Sequence, residues 1–179
     1  AAGDGSGGCK EIPRSKRMNT GKLEVIYGEG SGKTAMALGK GLEALSEQQR
    51  VTVIQFLKGS QTSEMMKRLE PEMKVFRFEK SGCNFEELSD LARQEESANI
   101  RNGVNYARKV LATGECGLLI LDEVLGVVDQ DILMESELEQ LLESRGDVDV
   151  ILTGRVLPER LAAMADRIER ITRIEPVHD

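Results

Sequence analysis

The amino-acid sequence predicts an α/β protein built on a mostly parallel sheet with helices on both faces, and three observations carry that prediction. Short β-branched or aliphatic runs alternate along the chain with longer segments of helical period. One of those runs, Leu118, Leu119, Ile120 and Leu121, is apolar at every position, as a central strand covered on both faces requires. Polar residues capable of chemistry follow the runs directly, most densely in Gly28-Glu29-Gly30-Ser31-Gly32-Lys33-Thr34.

The first strand is expected at Leu23–Tyr27. The helix opening near Lys33 places Ala35, Leu38, Leu42 and Leu45 on one stripe, with Gly39 and Gly41 allowing close approach to the sheet. Residues 51–56 form the next strand, and a short helical stretch follows whose Met65, Met66 and Leu69 read as core filling. Residues 73–78 are the third strand. Residues 86–113 space Leu88, Leu91, Val104, Ala107 and Leu111 for the longest helix, with Gly114 as its stop signal. Gly103 lowers its propensity by about 1 kcal/mol without breaking the pattern. After the apolar strand 118–121, a helix at 136–143, a strand at 148–152, a helix at 158–165 and a last strand at 168–174 complete the reading. Residues 1–20 are expected to be a flexible glycine-rich leader and residues 21–179 a single domain, with Met18 a candidate native start.

The composition narrows the function classes. With 179 residues, 40% of them hydrophobic and 31% charged, the chain can bury one substantial core. Its 31 acidic and 24 basic residues give a formal charge of −7, which argues against a nucleic-acid surface. The basic cluster Arg14-Ser15-Lys16-Arg17 lies in the leader and reads as a solvated tail. No apolar run approaches the roughly 18 to 20 residues that span a bilayer, and no signal-peptide pattern occurs, so a cytoplasmic protein without membrane contact is expected. Cys9, Cys83 and Cys116 form no CxxC pair, and His178 is the single histidine, so neither a disulfide framework nor a Cys or His metal site is supported.

The stretch Gly28 to Thr34 describes a loop that holds phosphates, on a phosphate-loop NTPase-like fold. Glycines let backbone N–H groups turn inward, the following helix adds its positive end, Lys33 supplies a mobile charge, and Thr34 offers a hydroxyl to a phosphate-bound Mg²⁺. Tyr27 stands where the usual motif has its first Gly, so the loop is one residue short. Asp122 and Glu123, at the carboxyl end of the apolar strand, should come near the phosphates and could hold Mg²⁺ directly or through water. Lys58 ends the second strand segment and Arg155 the fifth, on the same expected edge. Arg155 reads either as a phosphate partner or as a rim ion pair, and Lys58 either as a site residue or as an ordinary surface lysine.

The ordered set GEGSGKT, QFLKG, SGCNF, LLILDE and LTGR, with Pro158 and Ala165-Asp166 beyond, resembles the ATP:corrinoid adenosyltransferases of the phosphate-loop type over residues 21–178. That resemblance implies transfer of the 5′-deoxyadenosyl group of ATP to the cobalt(I) of a corrinoid, with release of triphosphate. It assigns the triphosphate and Mg²⁺ to Gly28, Glu29, Gly30, Ser31, Gly32, Lys33 and Thr34 together with Glu123 and the neighbouring Asp122. Phe85 matches one of two aromatics that some members pack on the corrin. The resemblance also implies a homodimer and a separate electron donor for the cobalt. This chain carries Glu29, Ser31 and Ala35 where the family's loop commonly has Asn or Asp, Lys and a second Thr, and Cys83 reads as a small buried hydrophobe. An ATP- or corrinoid-binding protein without turnover, and a phosphate-loop ATPase, are the competing readings.

Overall fold

The computed structural model describes residues 19–58 and 64–177. The leader expectation for residues 1–18, Cys9 and His178 lie outside the described residues. Asn19 and Thr20 do not belong to a free leader. The Asn19 side-chain oxygen accepts from Gly146 N–H at 2.9 Å, and Thr20 N–H donates to Gly146 O at 3.1 Å.

Among the described residues six strands and six helices alternate, except that two helices in succession follow the fourth strand. They are β1 (Leu23–Tyr27), α1 (Lys33–Ser46), β2 (Val51–Gln55), α2 (Glu64–Leu69), β3 (Met73–Phe76), α3 (Asp90–Thr113), β4 (Leu118–Asp122), α4 (Val124–Asp129), α5 (Glu135–Glu143), β5 (Asp149–Gly154), α6 (Glu159–Met164) and β6 (Arg167–Arg170). A 3₁₀ turn at Phe85–Glu87 precedes α3. The sheet order is β3-β2-β4-β5-β1-β6. Every pairing is parallel, so all six carboxyl ends share one edge, where ligands of such sheets bind.

The sheet is buried between two helical layers. On one face Ile26, Val51, Val53, Leu118, Ile120 and Ile151 pack with Ala37, Leu38 and Ala44 of α1 and Met66 of α2. On the other, Val25, Ile54, Leu119, Leu121, Val150 and Leu152 pack with α3, α4, α5 and α6 through residues such as Ile100, Val127, Leu138 and Leu161. β4 and β2 are buried along their whole length, which accounts for the apolar run Leu118 to Leu121 and for Val51, Val53 and Ile54 of β2, beside the buried polar Thr52 and Gln55. The ends of α3 are specified locally: Ser89 accepts from Ala92 N–H at 3.3 Å, and Gly114 closes the helix at φ 63°.

Several sequence expectations shift. The stripe of α1 that meets the sheet runs through Ala37, Leu38, Gly41 and Ala44, and Leu42 is 52% exposed. Small residues set this contact: a Cβ at Gly41 would lie 2.7 Å from Met73 Cε, whereas one at Gly39 would meet nothing. Met66 is core but Met65 is half exposed, and Leu91 is exposed in the first turns of α3. Cys83 is exposed, contrary to its reading as a buried hydrophobe. Cys116 is the buried thiol, and burial pushes its pKa up. The third strand stops at Phe76 and the last at Arg170, both shorter than expected, and α4 is an additional helix that the periodicity did not reveal.

Candidate active site

The phosphate loop sits between β1 and α1 and is held from behind by the segment that follows β6. Gly30 N–H donates to Ile171 O at 3.2 Å, and Ile171 N–H donates to Tyr27 O at 2.8 Å. A Cβ at Gly28 would collide with Ile171 O, and one at Gly30 would lie 2.6 Å from Ile171 Cγ2, so both glycines are required by close approach. Met36 N–H is the first amide of α1 to reach an acceptor within the turn, Gly32 O at 2.9 Å. The amides of Lys33, Thr34 and Ala35 therefore have no acceptor within the helix, and no side chain caps this end. That leaves a positive helix terminus open to an anion. Lys33 Nζ donates to Gly30 O at 2.7 Å, an arrangement that keeps the ammonium over the loop.

Asp122 is the hub of the site. It is 1% exposed, and both its oxygens are engaged. Oδ1 accepts from Thr34 Oγ1 at 2.9 Å and from Thr153 Oγ1 at 2.7 Å. Oδ2 accepts from Gln55 Nε2 at 2.9 Å and lies 3.9 Å from Lys58 Nζ. Because Thr34 gives its proton to Asp122, its oxygen lone pairs are left for a cation. Asp122 thereby fixes the Thr34 hydroxyl, and its own lone pairs are largely used.

Glu123 follows in a left-handed conformation, φ 63° and ψ 19°, which costs a non-glycine residue about 1 to 3 kcal/mol. Two contacts hold it: Glu123 N–H donates to Thr153 Oγ1 at 2.7 Å, and Glu123 O accepts from Gly126 N–H at 3.0 Å. A Cβ at Gly126 would lie 3.3 Å from Glu123 Oε1 and 2.7 Å from Leu57 Cδ1, so the glycine makes room for the carboxylate. Glu123 lines a cavity of about 490 Å³ together with Lys58, Phe85 and Arg155, the remaining residues singled out from the sequence. Phe85 reaches it from the 3₁₀ turn, with the Arg93 guanidinium 5.9 Å from its ring centroid. Arg155 is exposed and enters no ion pair among the described residues. Glu29 and Ser31 are exposed on the loop, and Gly28, Gly30 and Gly32 form its turns.

The donor set suits Mg²⁺. Thr34 Oγ1 and the Glu123 carboxylate could serve as hard oxygen donors beside an open anion site. Among the described residues no group of three or more His, Cys, Asp or Glu side chains could hold a metal unaided. Thr153, Gln55 and Ile171 were not singled out from the sequence. The signal for the first two was available: each is a buried polar residue at or next to the carboxyl end of a strand, directly after an apolar run, at the functional edge. Ile171 offers no such signal, since its contribution is a backbone carbonyl.

A larger cavity, about 820 Å³, opens at the opposite edge between Arg50, Cys116 and Arg145. It faces the amino ends of the strands, away from the phosphate loop.

The model of the family "ATP:corrinoid adenosyltransferase BtuR/CobO/CobP" matches residues 19–178. The corrinoid adenosyltransferase of Escherichia coli K12 is 28% identical over 160 residues, 89% of this chain and 80% of that protein. The corrinoid adenosyltransferase CobA of Salmonella typhimurium is 28% identical over the same shares of the two chains. Among solved structures, the replication initiator DnaA bound to AMPPCP and single-stranded DNA has a TM-score of 0.44 and 17% identity over 86% of this chain and 41% of that one. With a family model matched across the whole described domain, the chain belongs to the ATP:corrinoid adenosyltransferases and is an enzyme that acts on ATP and a corrinoid.

Proposed function

We propose that the phosphate-loop edge positions ATP for attack by a cobalt(I) corrinoid and that the residues around Asp122 hold its triphosphate. The observation that carries this reading is the joining of the two halves of the site: Thr34 of the loop is hydrogen-bonded to Asp122 of β4 at 2.9 Å. In the reaction the cobalt electron pair forms a bond to the ribose C5′, the C5′–O bond breaks, and its electron pair leaves on triphosphate. The nucleophile belongs to the substrate. The protein needs no nucleophilic Ser, Cys or His, and its tasks are alignment, charge stabilisation and exclusion of water.

The loop amides and Lys33 would receive the triphosphate, with Lys33 leaving Gly30 O to do so. Thr34 and Glu123 would hold Mg²⁺, with Asp122 fixing Thr34. Bound there, the cation would supply positive charge to the leaving triphosphate. Lys58, Phe85 and Arg155 would meet the reacting ends of the two substrates in the 490 Å³ cavity, with Arg155 free to approach an anionic oxygen. We assign residues 21–179 to one catalytic domain that acts as a homodimer in the cytoplasm, supplied with reduced corrinoid by a separate electron donor. No helix among the described residues is long and apolar enough to cross a membrane.

The test is anaerobic incubation of the protein with Mg·ATP and a chemically reduced corrinoid, with both products identified. Adenosylated corrinoid and intact triphosphate in equal amounts are expected. ADP and phosphate without a cobalt–carbon bond would replace this reading with a phosphate-loop ATPase, and nucleotide binding without turnover would replace it with a binding protein.

A further inference from the structure

Arg77 lies just past β3, at the same edge as the phosphate loop. Its Nε donates to Gln55 Oε1 at 2.8 Å, and Gln55 Nε2 donates to Asp122 Oδ2 at 2.9 Å. Asp122 then accepts from Thr34 through its other oxygen. The strand register sets this line of side chains: Gln55 pairs with Asp122 across β2 and β4, and Ile54 pairs with Phe76 across β2 and β3. Arg77 therefore stands one step along from Phe76, beside Gln55.

The line is directional. A guanidinium only donates and an ionised carboxylate only accepts, so one orientation of the Gln55 amide satisfies both neighbours. Gln55 is 4% exposed and Asp122 1% exposed, leaving little water to correct an amide turned the other way. Turned so, its carbonyl would face the carboxylate. Arg77 is itself in an uncomfortable place: its Nη1 is buried without a hydrogen-bond partner. Burial pulls its pKa down, while Glu79 and Asp122 push it up. A half-buried cation with an unsatisfied donor is a poor way to fill space. Its charge has a use if it must point at Gln55.

We propose that Arg77 is a positioning residue for Mg·ATP: it fixes the Gln55 amide, Gln55 fixes the Asp122 carboxylate, and Asp122 turns the lone pairs of Thr34 toward the triphosphate-bound cation. The inference rests on the reading of Thr34 and Glu123 as that cation's ligands. Its signature is a higher Mg²⁺ concentration at half-saturation in nucleotide binding, with binding in the absence of Mg²⁺ nearly unchanged.

Binding of a fluorescent ATP analogue is titrated with Mg²⁺ for the native protein and for Arg77→Met, Arg77→Lys and Gln55→Met. Arg108→Met, on the exposed side of α3, is the charge-matched control. Gln55→Met is expected to raise the Mg²⁺ concentration at half-saturation roughly tenfold, as loss of a ligand's supporting hydrogen bond commonly does, and Arg77→Met about fivefold. Arg77→Lys should stay within about twofold, since an ammonium can still donate to Gln55 Oε1. A native Mg²⁺ response in Arg77→Met, or an equal loss of binding with and without Mg²⁺, overturns the inference while leaving the cation site standing. Nucleotide binding by the native protein that ignores Mg²⁺ overturns the cation reading and the inference with it. If Arg77→Met does not fold, Gln55→Met and Arg77→Lys carry the same comparison: a native response in the first, or a loss in the second as large as in the first, overturns the proposal.

Discussion

Thr153 shows how much one side chain can settle at this edge. Its hydroxyl donates to Asp122 Oδ1 and accepts from Glu123 N–H, each at 2.7 Å, so it joins two consecutive carboxylate residues from the neighbouring strand. It is fully buried, and valine has nearly its shape. Thr153→Val therefore removes little packing but leaves Glu123 N–H without its acceptor and takes from Asp122 Oδ1 one of its two donors, Thr34 remaining as the other. A cost of about 1 to 3 kcal/mol in unfolding free energy is expected, the usual cost of one unsatisfied group. Release of Glu123 from its left-handed conformation should also lower kcat/KM for ATP by roughly tenfold or more. Thr153→Ser keeps the hydroxyl and should recover most of both losses. Urea unfolding and steady-state kinetics on the two variants check this, and equal behaviour of the Val and Ser proteins would reduce Thr153 to a packing residue.

At the scale of elements, α3 is the member whose stability can be changed without touching phosphate chemistry. Ser89 caps it with a bond of 3.3 Å to Ala92 N–H, at the long end of useful geometry. Ser89→Ala should lower stability by about 0.5 to 1 kcal/mol, the lower half of the usual cap value, and leave Mg·ATP binding intact. Denaturant unfolding paired with nucleotide titration tests both parts; a changed nucleotide affinity would mean that the turn carrying Phe85 is coupled to the loop. The same helix shows where sequence reasoning stops. Its 24 residues span about 36 Å, while a five-residue strand covers about 17 Å, so the first turns overhang the sheet and Leu91 has nothing to cover it. Periodicity identified the helix, but not which turns lie over the sheet. In α1 the contact passes through Ala37, Gly41 and Ala44, because small residues allow close approach, and the leucine stripe read from the sequence is rotated off the sheet by about one position. α4 escaped notice because Val124, Leu125, Val127 and Val128 crowd six residues and show no period to read. The strand ends were legible for a different reason. A polar residue following a buried run in a parallel sheet has one edge to occupy, and Lys58, Asp122, Glu123 and Arg155 are legible on that logic, while Thr34 is legible from the phosphate-loop stretch. The role of Asp122 as an organiser of Thr34 emerges only when the partners of both its oxygens are known.

For the whole molecule, the phosphate loop is joined to its surroundings more firmly than a surface loop of seven residues suggests. Its base pairs with β5 and β6 through β1, its glycines lie against Ile171, and Thr34 binds β4. Ordering an anion on that loop should therefore stabilise the entire domain, not a local flap, because a ligand that binds only the folded state shifts unfolding by mass action. At a Mg·ATP concentration one hundred times its Kd the gain is about 2.7 kcal/mol, equivalent to roughly 5 to 10 °C in Tm for a protein of this size. The structure also indicates what should reduce the gain. Lys33 Nζ is committed to Gly30 O at 2.7 Å and must exchange that carbonyl for phosphate oxygen. Lys33→Ala loses a single half-buried loop contact in the free protein, so its own Tm should fall by no more than about 2 °C, whereas its shift with Mg·ATP should shrink to about half or less. Differential scanning calorimetry of both proteins, with and without nucleotide, separates these effects. A full ligand-induced shift in Lys33→Ala would show that the backbone amides of the loop hold the triphosphate without help from the lysine, and the charge stabilisation assigned to it would have to come from Arg155 or Lys58 on the other side of the cavity.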